Sequence, residues 1–208
     1  GATIACITDA GTPGISDPGE ELTRMCYEAG ISVYAIPGPA AVITAVTSSG
    51  LPCRRFAFEA FLPRDKKEKK RILEELKSES RTMVIYEAPH RLRQTLADLA
   101  EALGPERKLT VARELTKKHE EKARMTLGQS LDYYRQREPR GEYVLVIEGK
   151  SWEETDSEDR ARWEEMDLDS HMQIYLDQGL DRKEAMKAVA RDRGIPKREV
   201  YAALLKEI

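Results

Sequence analysis

Cysteine is scarce in this chain. There are three among 208 residues, Cys6, Cys26 and Cys53, odd in number and scattered. No pair has zinc-ligand spacing, and such thiols are expected to be free rather than part of a disulfide framework. His90, His119 and His171 are the only histidines, and none is paired with cysteine, so no metal is expected. No apolar run is long enough to span a membrane and no secretory leader is evident, which makes a cytoplasmic protein the expectation. Net charge is only −3, so the molecule as a whole is no obvious polyanion binder; how the charges are distributed matters more. G-x-G-x-x-G, the P-loop pattern and a serine on a nucleophile elbow are all missing, so neither NAD, ATP nor a serine triad is indicated.

What is present begins with Thr3-Ile4-Ala5-Cys6-Ile7, read as a buried strand, and Asp9-Ala10-Gly11-Thr12-Pro13-Gly14-Ile15-Ser16-Asp17-Pro18-Gly19 behind it. A helix is expected over residues 20–29. Strand, small-residue loop, helix is the order found where ligands sit in an open α/β sheet. Glycine lets a ligand approach the backbone and proline stiffens it, although the same composition also makes plain turns. A second strand is expected over 31–36, ending in Pro37-Gly38-Pro39, with a charge-poor helix from Ala40 to Gly50. That helix is a packing element whose start also offers free N–H groups at a strand end.

Further strands are expected over 56–63, 82–87, 109–113 and 142–148, with helices to about residue 77, over 88–103 and over 126–134. The alternation argues an α/β fold with mixed strand directions near the end. Residues 64–71 hold six basic and two acidic side chains. Residues 151–170 hold nine acidic and two basic ones and read as a solvated linker or exposed helix. In the helical tail, Ala190, Gly194 and Val200 have helix-turn-helix spacing, and Pro196 suits the first turn of the second helix. A small helical packing unit explains that tail equally well. The expected divisions are 1–52, 53–150, the linker 151–170 and the helical unit 171–208.

Asp9-Ala10-Gly11-Thr12-Pro13, Pro37-Gly38-Pro39, Phe58-Glu59-Ala60-Phe61-Leu62-Pro63, Tyr86-Glu87 with His90-Arg91-Leu92, Ala112-Arg113-Glu114-Leu115-Thr116-Lys117 and the stretch from Gly141 to Gly149 occur in order. Over essentially the whole chain this series resembles the ribosomal RNA small-subunit methyltransferase I family, of the tetrapyrrole-methylase-like superfamily. The resemblance implies two α/β subdomains, the first truncated here, plus a C-terminal helix-turn-helix-like domain, usually in a homodimer. It implies S-adenosylmethionine as cofactor and 2′-O-methylation of a cytidine in 16S rRNA of the small ribosomal subunit. It places Ala10, Gly11, Thr12, Ile15, Ala40, Ala41, Tyr86, Ala112 and Gly141 around the cofactor. The family's opening strand, its Pro-x-Pro-Ile-Gly-Asn type loop and its Glu-Asp-Thr-Arg type motif have no match, so the chain is expected to be a fragment lacking part of the cleft. Ala60 stands where the family often has glycine, a change expected to matter little.

Transfer to a ribose hydroxyl benefits from a general base, and the candidate carboxylates are Asp9, Glu87 and Glu114, each with a structural alternative as a cap or ion-pair partner. Candidate RNA contacts are Arg64, Lys66, Lys67, Lys69, Lys70, Lys117, Lys118, Arg193, Lys197 and Arg198, because phosphate contacts dominate affinity. The rival readings are a tetrapyrrole C-methyltransferase and a non-catalytic nucleic-acid-binding protein.

Overall fold

A computed structural model describes residues 1–205. It divides into two units, residues 1–150 and the stretch from Ser151 onward. No helix among the described residues is long and apolar enough to cross a membrane.

The first unit opens with helices α1 (Glu20–Glu28) and α2 (Ala41–Ser49). It continues through β1 (Phe56–Phe61), α3 (Lys66–Leu76), β2 (Thr82–Glu87), α4 (Leu92–Leu103), β3 (Lys108–Arg113), β4 (Glu121–Thr126), α5 (Leu127–Arg135) and β5 (Tyr143–Ile147). The sheet order is β1-β2-β5-β3-β4. β1 and β2 run parallel, and the other neighbours are antiparallel. This is the mixed sheet that the sequence suggests.

Side-chain alternation along the strands creates two cores. Met83, Ile85, Val111, Leu145 and Ile147 face α3, α4 and α5, meeting Leu76, Leu92, Leu96, Leu99 and Leu127. Val84, Ala112, Val144 and Val146 face α2, meeting Val42, Ala45 and Val46. The small residues of α2 suit this role, since a helix without bulky side chains lies close to the sheet.

The strands expected over 3–7 and 31–36 do not form. Ile4 and Ile7 are 83% and 85% exposed, and Tyr34 and Ile36 are 83% and 79% exposed. A strand exists only where a neighbour completes its ladder, and among the described residues neither segment has one. Apolar composition alone cannot supply that partner. The reverse error is β4, which the sequence reading missed. Glu121-Lys122-Ala123-Arg124-Met125-Thr126 carries the charges expected of an edge strand, and charge hides a strand from an apolar scan.

In the second unit, residues 151–170 are mostly helical. Helix α6 (Trp152–Glu165) starts in a capping box between Ser151 and Glu154. Helices α7 (Leu168–Asp177), α8 (Arg182–Asp192) and α9 (Lys197–Leu205) follow, the first two capped by Asp167 and Asp181. Met172, Ala185, Val189, Ala190, Val200 and Leu204 form their core. Ala190 and Val200 are both buried and Gly194 turns with φ 63° between α8 and α9, the geometry read from their spacing.

Candidate active site

The strand register decides what meets at one end of the sheet. Phe61 lies opposite Tyr86, Glu87 opposite Tyr143, and Tyr143 opposite Arg113. The ends of β1, β2 and β3 and the start of β5 therefore share one edge. The loops after Phe61, Glu87 and Arg113, and the loop before Tyr143, all open there.

Two hydrogen bonds carry the N-terminal loops to that edge. The Thr12 N–H donates to the Pro39 carbonyl at 3.0 Å. The Val42 N–H, in the first turn of α2, donates to the Tyr86 hydroxyl at 2.8 Å. The α2 N-cap, Ala40, has no side chain able to accept from that turn, so Tyr86 acts as the missing cap from across the sheet. Burial pushes the Tyr86 phenol above its ordinary range, with the charge of Asp17 adding to the effect, so it stays a neutral hydroxyl. At Gly11 an added Cβ would lie 2.7 Å from the Pro39 carbonyl oxygen, so no larger residue allows the two loops this approach.

Beyond Arg113 the chain turns through Glu114 and Thr116, non-glycine residues at φ 49° and 65°. Such conformations cost energy and cluster at functional sites. Glu114 Oε1 accepts from the Lys117 ammonium at 3.2 Å and from the Glu142 N–H at 3.4 Å. The ammonium holds the Glu114 carboxyl below the usual carboxylate range. Gly141 lies directly under this carboxylate; a Cβ there would sit 2.5 Å from Glu114 Oε1.

Of the residues singled out in the sequence, Gly11, Thr12, Ala40 and Tyr86 are brought together by these contacts, with Ala112 in the same apolar cluster as Ala40 and Tyr86, while Ala41 is exposed at the start of α2. Glu114 and Gly141 meet at the same edge. Asp9, Ala10 and Ile15 lie exposed on the first loop. Glu87 is turned to the opposite face and is 1% exposed. Thr95 donates to its Oε2 at 2.5 Å, the Ala88 N–H donates to its Oε1 at 2.8 Å, and Arg91 Nε lies 3.5 Å away. The geometry gives Glu87 a structural duty at the start of α4. Thr95, eight residues on, escaped the sequence reading because nothing local announces it.

The basic candidates divide as well. Arg64, Lys66, Lys67, Lys70 and Lys118 are exposed. Lys69 is paired with Asp98 at 2.5 Å and faces α4. Lys117 holds Glu114. Arg193 is turned inward: its Nε donates to His171 Nδ1 at 3.1 Å and its Nη2 donates to the Met166 carbonyl. Arg193 therefore holds three helices together, where the sequence suggested a phosphate contact. Lys197 is partly buried and Arg198 exposed.

A family model described as Tetrapyrrole (Corrin/Porphyrin) Methylases matches residues 1–130. The chain is 45% identical over 206 residues to ribosomal RNA small subunit methyltransferase I of Synechocystis sp., covering 99% of this chain and 72% of that protein. To the protein of the same name from Bacillus subtilis it is 45% identical over 203 residues, covering 98% and 69%. The chain thus spans about seven-tenths of the length of these relatives. Among solved structures, a uroporphyrin-III C-methyltransferase from Thermus thermophilus is similar with a TM-score of 0.45 and 21% identity, covering 65% of this chain and 60% of that one.

Proposed function

The chain belongs to the ribosomal RNA small subunit methyltransferase I family of the tetrapyrrole-type methylases, and we propose from this that it transfers a methyl group from S-adenosylmethionine to the 2′-hydroxyl of a cytidine in 16S rRNA. The observation that carries the reading is the joining of sequence-distant loops at one sheet edge, Thr12 to Pro39 and Val42 to Tyr86.

The residues present suit the cofactor. Gly11 leaves the first loop without a side chain at its closest approach to Pro39. Ala40 and Ala41 leave room beside it, Ala112 lies fully buried beneath them, and the first-turn amides of α2 have no intrahelical acceptor. Ala10, Gly11, Thr12, Ile15, Ala40, Ala41, Tyr86, Ala112 and Gly141 would hold it. When bound, it supplies a methyl group already activated on a sulfonium. The chain's own contribution is alignment and the exclusion of water. Glu114 is the carboxylate at this edge that would accept the proton a hydroxyl gives up, and its ion pair with Lys117 lowers its basicity. Asp9 is the exposed carboxylate of the set, and Glu114 is half-buried. Arg64, Lys66, Lys67, Lys70 and Lys118 would meet RNA phosphates. The tetrapyrrole alternative is less supported, because the relatives similar over nearly the whole chain are named ribosomal RNA methyltransferases. The reading also includes a homodimer acting in the cytoplasm.

The test is calorimetric titration of the chain with S-adenosylmethionine, followed by tritium labelling of small ribosomal subunits that lack the modification. The expected outcome is saturable binding and label recovered in an alkali-resistant dinucleotide, because a 2′-O-methyl group blocks cleavage at that ribose. Label on a base would overturn the 2′-O assignment, and absent cofactor binding would overturn the whole reading.

A further inference from the structure

All three phenylalanines of the chain lie in β1, and the last of them is set by an irregularity. Along β1, Phe58 pairs with Val84, but Ala60 rather than Glu59 pairs with Ile85, and Phe61 pairs with Tyr86. One extra residue has entered the strand. Unbulged, Phe61 would lie opposite Glu87 and point into the core beneath α4. The bulge instead moves it to the face of Tyr86 and α2. Re-aiming a side chain is what bulges do beside functional sites. Ala60 holds the bulge at φ 50°, an unfavourable conformation for alanine.

The result is an aromatic ring at the candidate site that is not buried. Phe61 is 46% exposed, and its ring stands edge-on to Tyr86 with centroids 5.8 Å apart. Phe58 braces Tyr86 in the same way at 4.8 Å. Immediately beyond, Arg64, Lys66 and Lys67 are exposed. Lys66 and Lys67 occupy the first turn of α3, where positive charge opposes the helix dipole. Their placement does nothing for α3, and it does suit a polyanion.

We propose that Phe61 is a stacking platform for an unpaired nucleobase of the RNA substrate, with Arg64, Lys66 and Lys67 beside it on the phosphate backbone. The proposal rests on the RNA reading above. An aromatic face next to a cationic track is how unpaired strands are held, whereas the bases of a duplex offer no face for stacking. The adenine of a bound cofactor is the other planar group that this ring could meet. A sulfonium compound, however, gains nothing from three neighbouring cations.

The experiment uses the chain with Phe61→Ala, Phe61→Leu and Phe61→Trp. Fluorescence anisotropy follows a labelled oligocytidylate and an RNA duplex of equal length, and calorimetry follows S-adenosylmethionine. Alanine and leucine should each weaken single-strand binding roughly tenfold while leaving the duplex and the cofactor unaffected. Tryptophan should retain the affinity, and the single strand should quench its emission beyond any change seen for the wild-type Trp152 and Trp163. Wild-type single-strand affinity in Phe61→Leu overturns the proposal, as does an equal loss toward the duplex. Weakened cofactor binding in Phe61→Leu would assign the ring to the adenosine instead. If the wild-type chain binds no RNA at low salt, the RNA reading itself fails and takes the proposal with it. Failure at Phe61 alone would show as wild-type binding that every variant shares.

Discussion

Ala60 shows what a single backbone angle implies. At φ 50° a Cβ crowds its own backbone, at a cost of about 1 kcal/mol or more that glycine does not bear. Glycine would adopt this angle without that cost, so alanine here is expected to carry a small strain. Ala60→Gly should stabilise the first unit by about 1 kcal/mol, read as an increase in denaturant midpoint at constant slope. A decrease would mean that Ala60 makes contacts worth more than its strain. The motif residue was legible in the sequence and its angle was not, because the bulge depends on pairing between residues more than twenty positions apart.

At the scale of elements, α2 depends on a partner outside itself. Tyr86→Phe removes the hydroxyl that caps Val42, which should cost about 1 kcal/mol and weaken S-adenosylmethionine binding, since the second loop leads directly into that turn. Unchanged cofactor affinity in calorimetry would separate α2 from the site. The helices of the second unit are joined by His171. It is fully buried, stacks on Trp163 at 4.0 Å, accepts from Arg193 and presents Nε2 to Asp192 at 3.4 Å, while Tyr175 donates to the same carboxylate. Burial, aided by Arg193, lowers its pKa from the ordinary 6.5. The unfolded chain then takes up a proton that the folded unit resists. Its contribution to stability is present above about pH 6.5 and is lost as pH falls toward the lower folded value. Melting of the second unit should therefore drop as pH falls below about 6.5, and less steeply in His171→Gln. An imidazole that titrates above 6.5 by NMR would contradict this.

For the molecule as a whole, net charge conceals the relevant surface. The chain is acidic overall, yet α3, which follows the loop after Phe61, carries exposed lysines at 66, 67 and 70. Reversing Lys66, Lys67 and Lys70 to glutamate should weaken single-strand RNA binding and reduce the salt slope by up to about 2, with cofactor affinity unchanged. Lys69 is left out because its partner is Asp98. A salt slope identical to wild type would remove α3 from the RNA surface.

Local chemistry was sufficient to mark the loops, the four apolar sheet strands after residue 55 and the turn at Gly194. Each depends on neighbours a few residues apart. Only the tertiary structure decided which of those loops meet, which face Glu87 and Phe61 take, and whether Arg193 points inward. Those outcomes follow from strand register and from partners such as Thr95, Tyr86 and His171, which sequence separation hides. For the same reason residues 3–7 and 31–36 read as strands: their apolar pattern is local, while the ladder that would make them strands is not.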